Sequence, residues 1–445
     1  MSTAERPVPD GLAEFLDRQR WFAGKGREYT VQQLTSLGRL HDDPPVDVLL
    51  LEVDEDGERV VYQLPVEHRY DVPSRLDHAV IGTDPDGIVC DALHDREVTG
   101  AWLAHLNADA QVGAMRFHRV GDDVVPLGRP SLVMTAEQSN TSVVFGDAMI
   151  LKVYRRVVPG ANPDVEVHTG LAAVGCRHIA QPLGWVDSPY GTLAFLQEFL
   201  ASGTEGWELA KASIRDLFVE ADLHADEVGG DFAREAERLG AVTAEVHAAL
   251  RTAFPPTLLS AQEVRDRAAR MHARLDSAVR EVPRLAPYAP GLRATFDALA
   301  EAGPVPAQRV HGDFHLGQTM RTAAGWKVLD FEGEPATPAT ERRAPDTPLR
   351  DVAGMLRSFD YVARQVLLDH PDDPQRTYRA EEWAQRNRTA YCRGYARVSG
   401  HDLAESAVLL RALEAEKAVY EVVYEARMRP TWLPIPLAAV ERLAG

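Results

Sequence analysis

The sequence predicts an α+β protein, rich in strands through its N-terminal and middle portions and helical through its C-terminal half. Two hairpin signatures and one long change of period carry that prediction. "VDVLLLEVDEDGERVVYQLPVEH" is two apolar runs joined by an acidic turn at Asp56–Gly57, and "NTSVVFGDAMILKVYRRV" repeats the pattern around Gly146–Asp147. From about residue 205 onward the apolar residues recur with the 3.6-residue period of a helix. "EAERLGAVTAEVHAAL", "SAQEVRDRAARMHARLDSAV" and "ESAVLLRALEAEKAVYEVVYEAR" all carry it.

Read from the N-terminus, "GLAEFLDRQRWF" is a short amphipathic helix with Leu12, Phe15, Leu16 and Trp21 near one side. The "WFAGKGR" stretch that follows carries Lys25 and Arg27, lies far from every chemical motif, and reads as structural. "GTDPDG" marks a boundary, so residues 1–88 form a first small α+β domain. Further on, Asn162 suits a helix cap, Pro163 the first helical position and Gly175 the end, which predicts a short helix over 163–174. "QPLGWVDSPYGTLAFLQEFL" gives two more strands around Ser188–Gly191. Residues 89–200 then make a strand-rich domain and residues 201–445 a helical one.

The whole-chain figures narrow the function. A formal net charge of −19 argues against nucleic acid or an anionic membrane surface, because nothing offsets phosphate repulsion over a long footprint. One phosphorylated ligand can still bind if a divalent cation and a few local cations serve it. Cys90, Cys176 and Cys392 are widely spaced and match no disulfide or zinc pattern. The first twenty residues show no apolar leader and no window reaches a membrane-spanning run, so a cytoplasmic protein is expected.

The chemistry concentrates in "RVHGDFHLGQTM", 309–320, and "VLDFEGEP", 328–335. Asp313 and Gln318 are five residues apart, the frame that aspartate and asparagine keep in the kinase signature H-R-D-L-x-x-x-N. Asp330 then ends an apolar strand in "DFE", where kinases have D-F-G, with Glu332 and Glu334 just beyond. Phosphoryl transfer needs an oriented hydroxyl whose proton has somewhere to go, and cations bridging the phosphate oxygens. Asp313 can take the first part, and Gln318 and Asp330 offer hard oxygens for the second. Taken singly, His-Gly-Asp is a turn. A zinc site on His311, Asp313 and His315 is the alternative chemistry, although no further ligand cluster supports it.

A kinase also needs a strand lysine for the nucleotide phosphates and a helical acid to hold that lysine. Lys152 in "MILKVY" and Glu166, fourteen residues later on the capped helix, fit those parts, whereas His168 reads as packing. The Gly-rich phosphate loop is missing. In its place "EQSNTSVVFGD" offers the hydroxyls and amides of Ser139, Asn140, Thr141 and Ser142. "LQEFL", with Glu198 at its centre, lies where the segment joining two lobes and reading an adenine edge would run. On the last periodic helix Leu413, Lys417, Tyr420 and Tyr424 share a face, and Glu421 lies four beyond Lys417, within pairing distance. Aromatic planes beside charged groups suit a sugar; the alternative is a core helix with packed tyrosines. In "PLRDVAGMLRSFDY", Asp351 is expected to brace the catalytic loop, with Arg350, Arg357 and Asp360 salt-linked.

"RQRWFAGKGR", "EQSNTSVVFGD", "HGDFHLGQ", "DFEGEP", "RRAPDTPLRDVAGMLRSFDY" and "YEVVYEARMRPTWLPIPL", in that order, resemble the actinobacterial maltokinases of the aminoglycoside-phosphotransferase-like kinases. The resemblance implies a bilobal kinase-like fold: an N-terminal cap subdomain, a β-rich intermediate lobe and a helical C-terminal lobe. It implies Asp313 as the catalytic aspartate, Gln318 and Asp330 on Mg²⁺ with Glu332 assisting, and Lys152 on the ATP phosphates held by Glu166. Ser139 to Ser142 and Glu198 fall to the nucleotide, and His315, Lys417, Tyr420, Glu421 and Tyr424 to the acceptor. The implied reaction converts ATP and maltose to maltose 1-phosphate for α-glucan synthesis. The implied partners are these small molecules and a trehalose–maltose interconverting enzyme, with a monomer favoured. Glucosamine, another sugar or an aminoglycoside is the rival acceptor. A pseudokinase is the rival class, and the presence of Lys152, Asp313 and Asp330 speaks against it.

Overall fold

The computed structural model describes residues 5–134, 139–220, 222–334, 337, 339–370 and 373–445. The chain divides into two compact units, Met1–Thr169 with Ala180–Ala201 and Gly170–Ile179 with Ser202–Gly445.

The first unit is built on two antiparallel sheets. One holds β1 (Glu5–Arg6), β2 (Tyr29–Asp42), β3 (Pro45–Glu55), β4 (Glu58–Arg69), β5 (Val80–Asp84) and β6 (Gly87–Asp91), in the order β1-β2-β3-β4-β6-β5. The hairpin expected at Asp56–Gly57 joins β3 to β4. Both turn residues have positive φ, 52° and 86°, as a two-residue turn that matches strand twist requires. Helix α1 (Leu12–Arg18) buries Leu12, Phe15 and Leu16 in the core that includes Trp21, Phe22 and Tyr62. The "WFAGKGR" stretch therefore works through its aromatic pair, with Trp21 also lying under the Arg155 guanidinium at 4.8 Å. The boundary expected at residue 88 falls inside β6. "GTDPDG" is instead the β5–β6 hairpin, in which Asp84 pairs with Gly87. Turn residues mark a reversal of the chain, and a hairpin needs one as much as a linker does.

The second sheet follows α2 (Gly100–Asn107). It holds β7 (Gln111–Val112), β8 (Met115–Arg119), β9 (Ser131–Val133), β10 (Asn140–Phe145), β11 (Met149–Tyr154), β12 (Pro182–Ser188) and β13 (Gly191–Glu198), ordered β7-β8-β12-β13-β11-β10-β9. The expected β10–β11 hairpin forms, with Phe145 opposite Met149 across a three-residue loop and Ser142 opposite Lys152. Helix α3 (Pro163–Ala173) starts where the cap residues predict: the Asn162 side chain accepts from Asp164 N at 2.7 Å.

The second unit carries α4 (Gly206–Val219), α5 (Ala233–Ala253), α6 (Ala261–Glu281), α7 (Ala289–Ala300), α8 (Ala339–Arg342), α9 (Leu349–Leu367), α10 (Pro374–Ser399), α11 (Ala407–Met428) and α12 (Pro434–Ala444). Its strands are short: β14 (Thr204–Glu205), β17 (Thr319–Thr322) and β18 (Gly325–Val328) form one sheet, and β15 (Thr257–Leu259) with β16 (Val305–Ala307) another. Within this unit an ion network, buried apart from Arg442, ties α9 to the last three helices. Arg357 reaches Asp360 at 3.1 Å and Glu421 at 2.5 Å, Arg388 reaches Asp360 at 3.2 Å and Glu414 at 2.9 Å, and Arg442 reaches Asp360 at 2.5 Å. Among the described residues no helix is long and apolar enough to cross a membrane.

Candidate active site

The loop between β16 and β17 carries His311, Asp313 and Gln318, and α9 holds it in place. Asp351, Gly354 and Ser358 stand three and four residues apart, on one face of that helix. Asp351 accepts from the backbone amides of His311 and Gly312 at 2.8 and 2.9 Å, and Ser358 Oγ accepts from Leu316 N at 3.0 Å. Gly354 permits the contact, since a Cβ there would lie 2.5 Å from the Phe314 carbonyl oxygen. Gly312 turns the chain at φ +87°, and Asp313 follows it directly. This is the brace expected of Asp351. Burial pushes the Asp351 carboxyl up, but the hydrogen bond from His247 and the nearby histidines outweigh it and keep the group ionised.

Asp313 lies on the wall of a cavity of about 310 Å³ whose lining also includes Glu334, Thr337, Arg350, Glu416, Lys417 and Tyr420. Lys417 Nζ sits 3.1 Å from Asp313 Oδ1 and 2.5 Å from Glu334 Oε2. Burial works against charge on both partners. For Lys417 the carboxylates of Asp313 and Glu334 win and hold its pKa up; for Asp313, Lys417 and His315 win and hold it below the usual carboxylate range. The pair is thus ionised at neutral pH. The Tyr420 ring stands 5.1 Å from the Lys417 ammonium and stacks on Tyr424 at 6.2 Å.

One acceptor-side expectation is corrected. Glu421 does not pair with Lys417: it is turned to Arg357 and is absent from the cavity lining. A buried guanidinium needs a counter-ion more than a lysine that already has two. Tyr424 and His315 also lie outside that lining; His315 Nε2 stands 4.0 Å from Asp313, and its Nδ1 accepts from Gly317 N. Glu334, grouped with the "DFEGEP" acids in the sequence but given no role there, proves to be the second partner of Lys417.

Gln318 and Asp330 meet directly, the Gln318 amide nitrogen donating to Asp330 Oδ2 at 3.2 Å. Asp330 adopts φ +60°, a left-handed conformation that non-glycine residues seldom hold without a reason. A carboxylate oxygen of Glu332 lies within 4.8 Å of one on Asp330. Two hard carboxylates and a neutral amide oxygen make a donor set that fits Mg²⁺. The zinc alternative is not supported: His311 has both ring nitrogens engaged, Nε2 with the Leu329 carbonyl at 2.8 Å and Nδ1 accepting from Asp313 N at 3.4 Å, and among the described residues His311, Asp313 and His315 do not bring three ligand atoms together.

In the first unit, Lys152 on β11 pairs with Asp164 at 3.1 Å. The acid that meets the lysine thus lies two residues before Glu166. Asp164 also holds His168, at 2.9 Å. Of the four hairpin residues, Ser139 is exposed and Asn140 half-buried, whereas Thr141 and Ser142 are buried. The Thr141 hydroxyl accepts from Arg155 at 2.8 Å. Glu198 ends β13 and accepts from Gln181 N at 3.3 Å.

Residues 133–401 match the phosphotransferase enzyme family, and residues 15–95 match the maltokinase N-terminal cap domain. The chain belongs to the phosphotransferase enzyme family. Within curated members, it is 32% identical over 316 residues to a glucosamine kinase of Streptacidiphilus jiangxiensis, covering 67% of this chain and 70% of that one. A glucosamine kinase of Mycolicibacterium smegmatis is 29% identical over 322 residues, 70% and 78% of the two chains. Among solved structures, a glucosamine kinase with glucosamine, ADP and inorganic phosphate superposes with a TM-score of 0.70 at 23% identity, over 98% of this chain and all of that one. Another crystal form of a glucosamine kinase gives 0.70 at 26% identity, over 92% and 94%. The α+β, kinase-like phosphotransferase fold is therefore that of this chain.

Proposed function

We propose that this phosphotransferase moves the terminal phosphoryl group of ATP to the anomeric hydroxyl of maltose, giving maltose 1-phosphate. The observation that carries the reading is Lys417, held between Asp313 and Glu334 on the cavity wall. An amino sugar would bring its own ammonium to such a carboxylate pair. Here a lysine of the chain already stands between the two carboxylates and cancels one of their charges, so a cationic acceptor would meet its repulsion and a neutral hydroxylic one is favoured. Beside it Tyr420 offers a partly exposed ring for the C–H face of a sugar, and the match to the maltokinase cap domain points the same way.

In this reading Asp313 accepts a hydrogen bond from the attacking hydroxyl and orients it. Its depressed pKa makes it a weak base. That is sufficient, since in a loose phosphoryl-transfer transition state the hydroxyl gives up its proton late. Lys417 keeps Asp313 anionic and donates to acceptor oxygens. Lys152 serves the ATP phosphates, and Gln318, Asp330 and Glu332 hold Mg²⁺. When bound, Mg²⁺ supplies charge neutralisation of the phosphate oxygens.

The test is a panel of acceptors with ATP and Mg²⁺, read by ADP release and product identification. Phosphate on the anomeric oxygen of maltose supports the proposal. Glucosamine is the second reading, favoured by the names of the curated relatives, and a preference for it over maltose would replace the first. Tyr420→Ala is expected to reduce kcat/KM for maltose by about 1–3 kcal/mol, through KM for maltose and not KM for ATP. Tyr420 is 37% exposed, so its melting temperature should stay near wild type. A lower melting temperature with both KM values unchanged would assign Tyr420 to packing alone.

A further inference from the structure

We propose that Arg342, to which no part of the reaction is assigned, is a positioning residue that locks the peptide between Glu332 and Gly333 and so sets the direction of the acids on either side. The inference rests on the reading of Asp330 and Glu332 as the metal acids. Arg342 stands in "RRAPDTPLR", a stretch whose first two arginines the sequence leaves without a task, and it is the last residue of α8.

The five residues from Asp330 to Glu334 carry three acids with different work. Asp330 meets Gln318, Glu332 lies beside Asp330, and Glu334 holds Lys417 at 2.5 Å. The backbone takes a left-handed conformation twice in this span, at Asp330 with φ +60° and at Gly333 with φ +76°. The start of the segment is anchored. Leu329 N donates to the Gln318 carbonyl at 2.9 Å, and the Phe331 ring, 2% exposed, packs 4.9 Å from that of His311. Gly333 is the soft point. Glycine takes positive and negative φ with nearly equal ease, so the backbone itself does not choose between the two faces of the Glu332–Gly333 peptide.

Arg342 makes that choice. Its Nη1 donates to the Glu332 carbonyl oxygen at 3.1 Å, which fixes the plane of the peptide. Its stem lies along the next residue: a Cβ on Gly333 would stand 3.4 Å from the Cβ, the Cγ and the Cδ of Arg342 alike. The stem therefore covers Gly333 while the guanidinium holds the carbonyl before it. Gly312, the residue before Asp313, also comes close, since a Cβ there would lie 3.4 Å from the Gly333 Cα. Turning the peptide over would change ψ at Glu332 and reverse the sign of φ at Gly333. Any part of that turn left uncompensated swings Glu332 away from Asp330 and Glu334 away from Lys417. Losing a group that orients a metal-binding acid from behind changes metal affinity or activity about 10–100-fold.

Methionine and lysine separate the hydrogen bond from the packing. Both keep an unbranched stem over Gly333, and only lysine keeps a donor. Binding of Mn²⁺ to the ADP-saturated protein is read by electron paramagnetic resonance, and Mg²⁺ activation of turnover is read beside it. Arg342→Met should weaken Mn²⁺ binding and raise the half-activating Mg²⁺ concentration, each about tenfold. Arg342→Lys should recover most of both losses. Wild-type Mn²⁺ binding and Mg²⁺ activation in Arg342→Met, or a lysine variant no better than the methionine one, overturns the proposal. Should the methionine variant fail to fold, Arg342→Ala is measured in its place against the same two outcomes. Asp330→Asn is measured alongside. If it keeps Mn²⁺ binding and turnover, the reading of the metal acids falls; if it loses both while Arg342→Met loses neither, only the role of Arg342 falls.

Discussion

Asp313→Asn is expected to lower kcat by about 100-fold or more, with nucleotide affinity and melting temperature close to wild type. The figure is the scale of losing a positioned acid–base group. Asparagine keeps the shape and removes the charge that orients the attacking hydroxyl. The fold should hold, because the loop is fixed by Asp351 and Ser358 and because Lys417 still has Glu334. The loss should appear in kcat, since the hydroxyl and the phosphate both still bind and only their alignment fails. Single-turnover kinetics with ATP-saturated enzyme make the check, and a near-normal rate would remove Asp313 from the chemistry.

Asp330→Asn is expected to abolish Mg²⁺-dependent turnover at millimolar magnesium while leaving the protein folded. Asparagine is the variant of choice, because Asp330 sits at φ +60° and asparagine tolerates that conformation better than alanine does. What it removes is an anionic oxygen, which a hard cation cannot replace with an amide at equal affinity. Gln318→Ala should act more mildly and shift the Mg²⁺ activation curve to higher concentration. Superimposable Mg²⁺ titrations for wild type and Gln318→Ala would take glutamine out of the metal site.

Local signals in the sequence translated directly into structure. The Asp56–Gly57 and Gly146 turns, the Asn162 cap and the five-residue step from Asp313 to Gln318 each depend on near neighbours, so the chain need not be folded to read them. What escaped was pairing at long range. Lys417 meets Glu334 from 83 residues away, and Arg357 meets Glu421 from 64. The helical i,i+4 rule offers Lys417–Glu421 instead, but that rule is worth only a few tenths of a kcal/mol, too little to compete with a buried arginine for its counter-ion. Asp164 was missed for a subtler reason. The cap at Asn162 sets where α3 begins, but only the folded sheet beside it shows that Asp164 reaches Lys152.

The ion network beside the Asp313 cavity has a consequence for how this lobe can change over generations. Arg357, Arg388 and Arg442 stand against Asp360, Glu414 and Glu421, three of each sign shared among four helices. Such a set behaves as a parity constraint. Neutralising one of the buried members leaves an odd charge in a poorly solvated place, which costs about 3–5 kcal/mol, whereas a matched pair can be exchanged for apolar side chains at little cost; Arg442, which is exposed, constrains the set less. Viable substitutions at these six positions should therefore arrive in opposite-sign pairs. Sequence drift in the C-terminal helix α12, seemingly remote from chemistry, is thereby tied through Arg442 to drift in α9 and α11. Because Glu421 belongs to this set and Lys417 lies one turn before it, the network also limits which side chains α11 can trial around the cavity that Asp313 and Lys417 line.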